Sequence, residues 1–451
     1  MCGVFGIRAP GRDIARLTYF GLYALQHRGQ ESAGIAVSEG GRLTALRDLG
    51  LVPQVFDEGS LAGLRGEVAI GHTRYSTTGG NGWENAQPLL HHGRARTVAL
   101  GHNGNLVNAE ELRETVGKPL GSTSDSEVIA ALIADDAQPL PEAVAATMAQ
   151  LDGAATVVGI ADGTLFGFRD AHGFRPLVLG RLGDDPVLAS ETCALDLIGA
   201  DFEREVAPGE LIVIDDDVHA TQVQTPANAL CIFEFFYLAR PDTKLEGVEV
   251  HGARIRMGER LAAEAPVEAD LVLPIPDSGT PAAIGFARAA GIPYSEGLIK
   301  NRYVGRTFIQ PDQEMREQGI RMKFNPLAEV HGKRLVVVDD SIVRGSTTRQ
   351  IVQMLFDAGA AEVHVRVSSP PIVSPCYYGI DFASEDEMIA AHASVEEVRA
   401  AIGATSLAYL SLAGLQESTQ RPASEMCRAC LTREYPTARP QDARKLRFER
   451  V

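Results

Sequence analysis

The chain predicts an α/β protein of two domains: a layered pair of sheets with flanking helices over residues 2–228, and a parallel-sheet domain over residues 229–451. Three observations carry this. The 451 residues exceed one ordinary core, because a domain takes about 150. The first half is rich in Gly and in short apolar runs broken by turn residues, the pattern of packed strands. Beyond a stretch of Gln, Thr, Pro, Ala and Asn near Val223–Leu230, the pattern becomes strand, loop and long helix, which indicates a parallel sheet.

In the first half, Gly34–Val37, Val68–Gly71, Thr97–Gly101, Thr156–Ile160 and Leu211–Asp215 read as strands. Glu127–Ala134 and Ala143–Leu151 read as helices between them. In the second half, Leu271–Ile275 is a strand that leads through Pro276-Asp277-Ser278-Gly279-Thr280 into an Ala-rich helix. Arg334–Val338 is a stronger strand, followed by Asp339-Asp340, a loop, and a helix over Thr347–Ala358 that Gly359 terminates. Val363, Val365 and Val367 alternate with His364 and Arg366 as a further strand. The tail Glu434–Val451 is charged, contains Pro, and is expected to wrap the surface.

Composition excludes several function classes. Hydrophobic residues make up 45% and charged residues 22%, the balance of a water-soluble globular protein. A net charge of -17 opposes nucleic-acid binding and docking on anionic membranes. No apolar run approaches the roughly 20 residues of a membrane span. With Met1 alone ahead of Cys2, neither a secretory nor a lipoprotein leader is expected, and the cytoplasm is the expected compartment. Six cysteines in a reducing compartment then need an account other than disulfides.

Cys2 opens Met1-Cys2-Gly3-Val4-Phe5-Gly6. Once Met1 is removed, a thiol (reference pKa about 8.5) and an α-amine (about 7.7–8.0) belong to one residue. Nucleophile and base then arrive together. Downstream, Gly71-His72-Thr73-Arg74 ends an apolar strand on an Arg fork that suits a carboxylate. Gly101-His102-Asn103-Gly104-Asn105 offers an amide side chain and an accessible backbone N–H, the donors of an oxyanion hole. Ser124-Asp125-Ser126-Glu127 supplies a carboxylate for an ammonium, and it equally fits a helix N-cap.

In the second half, Val336-Val337-Val338-Asp339-Asp340-Ser341-Ile342-Val343-Arg344-Gly345-Ser346-Thr347-Thr348 delivers two carboxylates to the end of a strand, where open α/β sheets bind ligands. Its hydroxyls and the following helix N-terminus form a phosphate cradle. The acidic pair suits ribose hydroxyls or magnesium. Asp277, Ser278 and Gly279 lie at a second strand end. The segment Lys300–Lys323 carries Lys300, Arg302, Arg306, Arg316, Arg321 and Lys323, and it suits a mobile lid over anions or a solvated surface loop. Cys427-Arg-Ala-Cys430 is a two-thiol chelate that redox, zinc and iron–sulfur sites share.

Cys2, Arg74, Asn103, Gly104 and Asp125 together resemble the class II glutamine amidotransferases. That resemblance implies a four-layer αββα N-terminal-nucleophile (Ntn) hydrolase fold, with Cys2 as nucleophile, Asn103 and Gly104 as oxyanion donors, and Arg74 and Asp125 as glutamine binders. The loop from Asp339 to Thr348 resembles the signature of type I phosphoribosyltransferases. It implies 5-phosphoribosyl-1-pyrophosphate binding by Asp277, Ser278, Gly279, Lys300, Arg302, Asp339, Asp340 and Arg344 through Thr348, and magnesium held by Ser278, Asp339 and Asp340. The order of the halves resembles the amidophosphoribosyltransferase family over nearly the whole chain. The resemblance implies purine nucleotides as feedback inhibitors and a homotetramer. It also matches Cys231, Cys376, Cys427 and Cys430 to the ligands of a [4Fe–4S] cluster in one branch of the family, against which a Cys₄ zinc site has the same ligand count. Cys193 is left as a buried thiol. The chain departs from that branch in one respect: its members often carry a short propeptide ahead of the nucleophile. A nucleotide-sensing regulator and an asparagine or glucosamine-phosphate synthase are the rival readings; the acidic pair disfavours the first and the Asp339–Thr348 loop the second.

Overall fold

A computed structural model of the chain describes residues 1–301, 323–382, 384–440, 445, 448 and 449. Among these residues, the strands Asp201–Glu205, Val178–Leu182, Asp185–Ala189, Gly3–Arg8, Val68–Arg74, Ser32–Glu39 and Arg42–Leu49 lie in that order in one antiparallel sheet. A second antiparallel sheet runs Val218–Gln222, Glu210–Ile214, Thr164–Phe168, Gly153–Ala161, Thr97–Leu106, Leu89–His92.

Side-chain alternation decides how these sheets stack. Val4, Ala36 and Ile70 of the first sheet meet Val158, Ile160, Leu165 and Ile212 of the second in one buried cluster. Their strand neighbours point the other way. Phe5, Ile7 and Ala69 pack on Ile14, Ala15 and Leu22 of the helix Ile14–Ala24. Leu100, Val157 and Phe168 pack on the helices Ser126–Asp135 and Leu140–Met148. The result is four layers, αββα, as the amidotransferase resemblance implies. The second of those helices begins and ends three residues before its expected bounds, because Pro141 occupies its first turn, where a missing N–H costs nothing.

The second half is organised on the parallel strands Leu271–Pro274, Arg334–Asp339, Glu362–Val367 and Ser406–Tyr409. Val272, Val336 and Val338 face Met257, Leu261 and Phe286 of the helices Val250–Glu264 and Thr280–Ala290. Leu273, Val337 and Val365 face Ile351 and Leu355 of the helix Ser346–Asp357, and Val398 beyond it. The polar positions His364 and Arg366 are buried too. Arg366 Nε donates to the Ala265 carbonyl (3.0 Å), and His364 Nδ1 pairs with the Ser406 hydroxyl (2.9 Å). That strand is therefore covered on both faces, as parallel strands are, and its polar alternation does not mark a solvent side.

Buried ion pairs join the halves. Glu234 accepts from Arg28 Nη2 (2.7 Å) and Arg175 Nη1 (3.3 Å), and Arg175 Nη2 donates to the Tyr378 carbonyl (2.6 Å). Arg28 also pairs with Glu191, which accepts from Thr243 Oγ1 (2.6 Å) and the Arg240 N–H (2.9 Å). Arg28, Arg175, Glu191 and Glu234 are fully buried at their side chains. Removing one partner of such a pair leaves a buried charge, at a cost of about 3–5 kcal/mol. Leu230–Cys231 pairs in parallel with Met426–Cys427, so the end of the chain returns to the junction. The tail then reaches the first half: the Gly79 N–H donates to the Lys445 carbonyl (2.9 Å), and Phe448 joins the helix-side core.

Candidate active sites

Cys2 lies at the start of the central strand Gly3–Arg8, whose neighbour Val68–Arg74 ends on Arg74. The parent strand of Asn103 and Gly104, Thr97–Leu106, belongs to the other sheet. Stacking brings the strand ends together. The Cys2 N–H donates to Asn103 Oδ1 (3.1 Å), and Cys2 Sγ sits 3.5 Å from the Tyr75 carbonyl, next to Arg74. With its oxygen committed to Cys2, the Asn103 amide leaves Nδ2 buried and without a hydrogen-bond partner. An orphaned buried donor costs about 1–3 kcal/mol. Such a donor is what a developing oxyanion needs.

Arg74 is 3% exposed. Its guanidinium donates to the Gly80 carbonyl (2.9 Å) and the Thr78 carbonyl (3.4 Å), so it holds the loop that follows it. Glu31 secures the same loop, accepting from the Ser76 N–H (2.7 Å). Asp125 occupies the N-cap position of Ser126–Asp135 but makes no side-chain cap bond. Its Oδ2 accepts from the Leu106 N–H (2.9 Å) at the end of the Asn103 strand. The helix-cap reading of Asp125 is thus set aside. Burial holds the His72 imidazole down to about 3, so it stays neutral. Its Nε2 donates to the His102 carbonyl (3.1 Å) and braces the same strand. Burial likewise pushes the Met1 α-amine down to about 6. Glu31, His72 and Asn105 escaped the sequence reading of roles, although all three lie in the polar runs around Gln26–Gly34, Gly71–Thr77 and Gly101–Leu106.

At the carboxyl end of the parallel sheet, Arg334–Asp339 delivers Asp339 and Asp340, which are 8% and 5% exposed. Burial pushes both carboxyls above the usual range, and the charge of Asp340 adds to the rise at Asp339. The Ser278 hydroxyl donates to Asp340, and the Asp340 N–H donates to Asp339 Oδ1 (2.9 Å). Gly279 makes that approach possible: an added Cβ would stand 2.6 Å from the Val338 carbonyl oxygen. Lys300 Nζ pairs with Asp277 (2.5 Å). The structure thus brings Asp277, Ser278, Lys300, Asp339 and Asp340 to one strand-end region.

Gly345, in the left-handed region with φ 75°, turns the chain into the helix Ser346–Asp357. Ser346 and Thr347 are exposed at its first turn and Thr348 is buried. Arg344 Nη2 pairs with Glu387 (2.9 Å). Arg302, Arg306, Arg316 and Arg321 lie outside the described residues. The flanks of their segment, Leu298–Lys300 and Phe324–Pro326, pair as an antiparallel ribbon.

Cys231, Cys427 and Cys430 are buried and Cys376 is half-buried; all are free thiols. Cys231 stands opposite Cys427 across the ribbon. Burial pushes the Cys430 thiol up, and the charges of Cys231, Cys376 and Cys427 add to the rise. The cationic Arg175 senses both Cys231 and Cys376. Among the described residues, no three Cys, His, Asp or Glu side chains close on a point as ligands of one ion. Cys193 is a buried thiol that burial pushes up, apart from this group.

Comparison with known proteins agrees with both halves. Residues 72–197 match the glutamine amidotransferase domain family, and residues 250–369 match the phosphoribosyl transferase domain family. The chain is 53% identical to the amidophosphoribosyltransferase of Mycobacterium tuberculosis, over 98% of this chain and 87% of the relative. It is 52% identical to that of Synechococcus elongatus, over 100% and 94%. The structure superposes on the solved glutamine phosphoribosylpyrophosphate amidotransferase of Bacillus subtilis, complexed with ADP and GMP, with a TM-score of 0.92, 46% identity and 98% of each chain covered. It superposes with a TM-score of 0.93 and 47% identity on a solved allosteric regulatory enzyme of purine biosynthesis, over 98% of this chain and 97% of that one. The chain therefore belongs to the amidophosphoribosyltransferase family, enzymes that transfer glutamine nitrogen to 5-phosphoribosyl-1-pyrophosphate in the first step of purine biosynthesis.

Proposed function

We propose that Cys2, once it carries the free α-amine, is the glutaminase nucleophile of this enzyme, and that the Asp339–Asp340 end of the parallel sheet receives the ammonia it releases. The observation that carries this is the Asn103 amide, with its oxygen on the Cys2 nitrogen and its Nδ2 buried and unpaired. The Cys2 thiol attacks the side-chain amide carbon of glutamine, and Asn103 Nδ2, with the Gly104 N–H, donates to the oxyanion. Collapse expels ammonia, with the α-amine of Cys2 carrying the proton from thiol to leaving group. Water then cleaves the thioester to glutamate. The α-amine, on the same residue as the thiol, is placed to accept the thiol proton without a separate base. Arg74 and Asp125 bind the glutamine carboxylate and ammonium.

Ammonia attacks ribose C1, a C–N bond forms, and the C–O bond to pyrophosphate breaks, giving 5-phosphoribosylamine. Ser346, Thr347, Thr348 and the helix N-terminus bind the 5-phosphate. Lys300, Asp277, Ser278 and Gly279 border the pyrophosphate, with Arg302 and Arg344 as further cations. Asp339, Asp340 and Ser278 would hold magnesium, which supplies positive charge to the departing pyrophosphate. Two buried carboxyls raised above their usual range fit a divalent cation that keeps its remaining positions for water and phosphate.

Cys231, Cys376, Cys427 and Cys430 would hold a [4Fe–4S] cluster, which supplies a cross-link between the domain junction and the tail. What supports this is their neighbourhood: Cys231 pairs with Cys427 across the short parallel ribbon, Cys231 and Cys430 share one apolar cluster, and Cys376 borders that cluster and the one that holds Cys427. Iron and visible absorption in anaerobically purified protein support it, and stoichiometric zinc without iron refutes it. Purine nucleotides as feedback inhibitors, a homotetramer and a cytoplasmic location complete the reading. The nucleotides are favoured by the ADP and GMP of the Bacillus subtilis structure, and the location by the family's metabolic role.

The test is Cys2→Ala. Glutamine-dependent release of pyrophosphate is expected to vanish while ammonia-dependent release persists. Equal loss of both, with the protein folded, refutes the division of labour.

A further inference from the structure

Asn105 follows Gly104 on the oxyanion strand Thr97–Leu106 and makes two hydrogen bonds in opposite directions. Its Oδ1 accepts from the Thr78 hydroxyl (2.6 Å), and its Nδ2 donates to the Tyr377 carbonyl (3.0 Å). Thr78 belongs to the loop that Arg74 grips through the Thr78 and Gly80 carbonyls. Tyr377 belongs to the other half of the molecule, next to Cys376. One planar amide therefore fixes the distance between the loop that binds glutamine and the phosphoribosyl half.

Two neighbouring contacts run in parallel. The Thr77 hydroxyl donates to the Gly104 carbonyl (3.3 Å). Gly379 lies against that same carbonyl, where an added Cβ would stand 3.2 Å from the oxygen. The Tyr378 carbonyl between them is gripped by the buried Arg175 (2.6 Å). The partner of Asn105 is thus held on a segment with little freedom to follow the loop if the amide is lost.

Resting on the glutaminase reading of Cys2, we infer that Asn105 is a positioning residue that ties the glutamine loop to the phosphoribosyl half, and that this tie keeps glutamine hydrolysis in step with phosphoribosylamine formation. Its side chain need not touch substrate. Thr78 and Tyr377 are its two arms, and the two arms have separable consequences. The Thr78 arm sets the loop that carries Arg74, so its loss raises the KM for glutamine. The Tyr377 arm sets the junction, so its loss lets glutamate form without pyrophosphate.

The experiment uses the full-length enzyme with Cys2→Ala, Asn105→Ala, Asn105→Asp and Thr78→Val variants. Glutamate release, pyrophosphate release and ammonia-dependent pyrophosphate release are each measured. Asn105→Ala is expected to raise the glutamine KM about tenfold, the upper range for losing hydrogen bonds of this kind, and to leave the ammonia-dependent rate as in wild type. Asn105→Asp keeps an acceptor for Thr78 and loses the donor to Tyr377. It is expected to release glutamate in excess of pyrophosphate while raising KM less than Asn105→Ala does. Thr78→Val combined with Asn105→Ala is expected to raise KM no further than Asn105→Ala alone, because Asn105→Ala already removes the bond that Thr78→Val would break.

A one-to-one ratio of glutamate to pyrophosphate in Asn105→Asp overturns the proposal, as does an unchanged KM in Asn105→Ala. Equal decline of the ammonia-dependent rate in Asn105→Ala also overturns it, since that is general damage to the fold. Failure of the underlying reading looks different: Cys2→Ala would then go on releasing glutamate, whatever Asn105 does.

Discussion

At the glutamine end of the molecule the groups around the Cys2 nitrogen are buried and neutral. Asn103 presents an unpaired amide, and burial holds His72 uncharged. At the phosphoribosyl end two carboxyls are forced together below the surface and pushed up by burial. Both ends store unfavourable free energy in the empty protein, but of opposite kinds. The first lacks a negative partner and waits for an oxyanion. The second has too much negative charge and waits for a cation and hydroxyls. Acyl chemistry at the first end needs charge to appear only in the transition state, whereas the second must bind a polyanion already charged in its ground state.

The largest effect that sharpens this contrast comes from Asp339→Asn with Asp340→Asn. Both glutamine- and ammonia-dependent pyrophosphate release are expected to fall by about 10³-fold or more, a magnitude typical of removing preorganised electrostatic groups. Stability is expected to move the other way. A carboxyl whose pKa is raised on folding holds its proton longer in the native state, so the native state loses stability as pH rises from the usual carboxylate range near 4. The double variant removes that loss. Its melting temperature without ligands should therefore match wild type near pH 4 and exceed it at pH 8. A lower melting temperature at pH 8 would mean that the pair stabilises the fold, and the contrast between the two ends would break.

Next in size is Asn103→Asp, which keeps an oxygen for the Cys2 nitrogen and removes the unpaired donor. The glutamine-dependent kcat is expected to drop about 10²–10³-fold, with the ammonia-dependent rate unchanged. Initial rates with the two nitrogen sources decide it. An equal drop with both would place Asn103 in a role common to the two ends.

Much of the second site was legible because it is local. A run of valines, two aspartates, a hydroxyl-rich loop and a helix start lie within 13 consecutive residues, 336–348, and strand, turn and helix place them without distant help. The glutaminase residues were legible only as a set, because Cys2 and Asn103 stand 101 residues apart and the pairing of two sheets joins them. The connections between the halves left no such trace. Glu234 reads as an ordinary acid in an apolar segment until Arg28 and Arg175 close on it, and Asn105 reads as one more residue of the oxyanion run. Arg344 carries a contact that its motif does not announce, an ion pair with Glu387. The tail was expected to wrap the surface, yet it carries specific bonds to the glutamine loop.

Those bonds supply the smallest effect. Glu449 Oε1 accepts from the Gly80 N–H (2.7 Å) and the Thr123 hydroxyl (2.7 Å), and Gly80 also feeds its carbonyl to Arg74. Glu449→Ala should therefore loosen the far side of the loop that Asn105 and Glu31 hold from the near side. Because two other anchors remain, the glutamine KM is expected to rise only about two- to threefold, the scale of one partly solvated hydrogen bond. Maximal rates should not change. The bonds from Thr123 and Gly80 hold the Glu449 carboxyl below its usual range. A group of this sign keeps its contact above the normal carboxylate pKa and loses it as pH falls through the lowered value. The difference in KM between wild type and Glu449→Ala should thus be constant from pH 6 to pH 8 and shrink only in acid. A difference that already closes near neutral pH would show that another group, not this carboxylate, secures the loop.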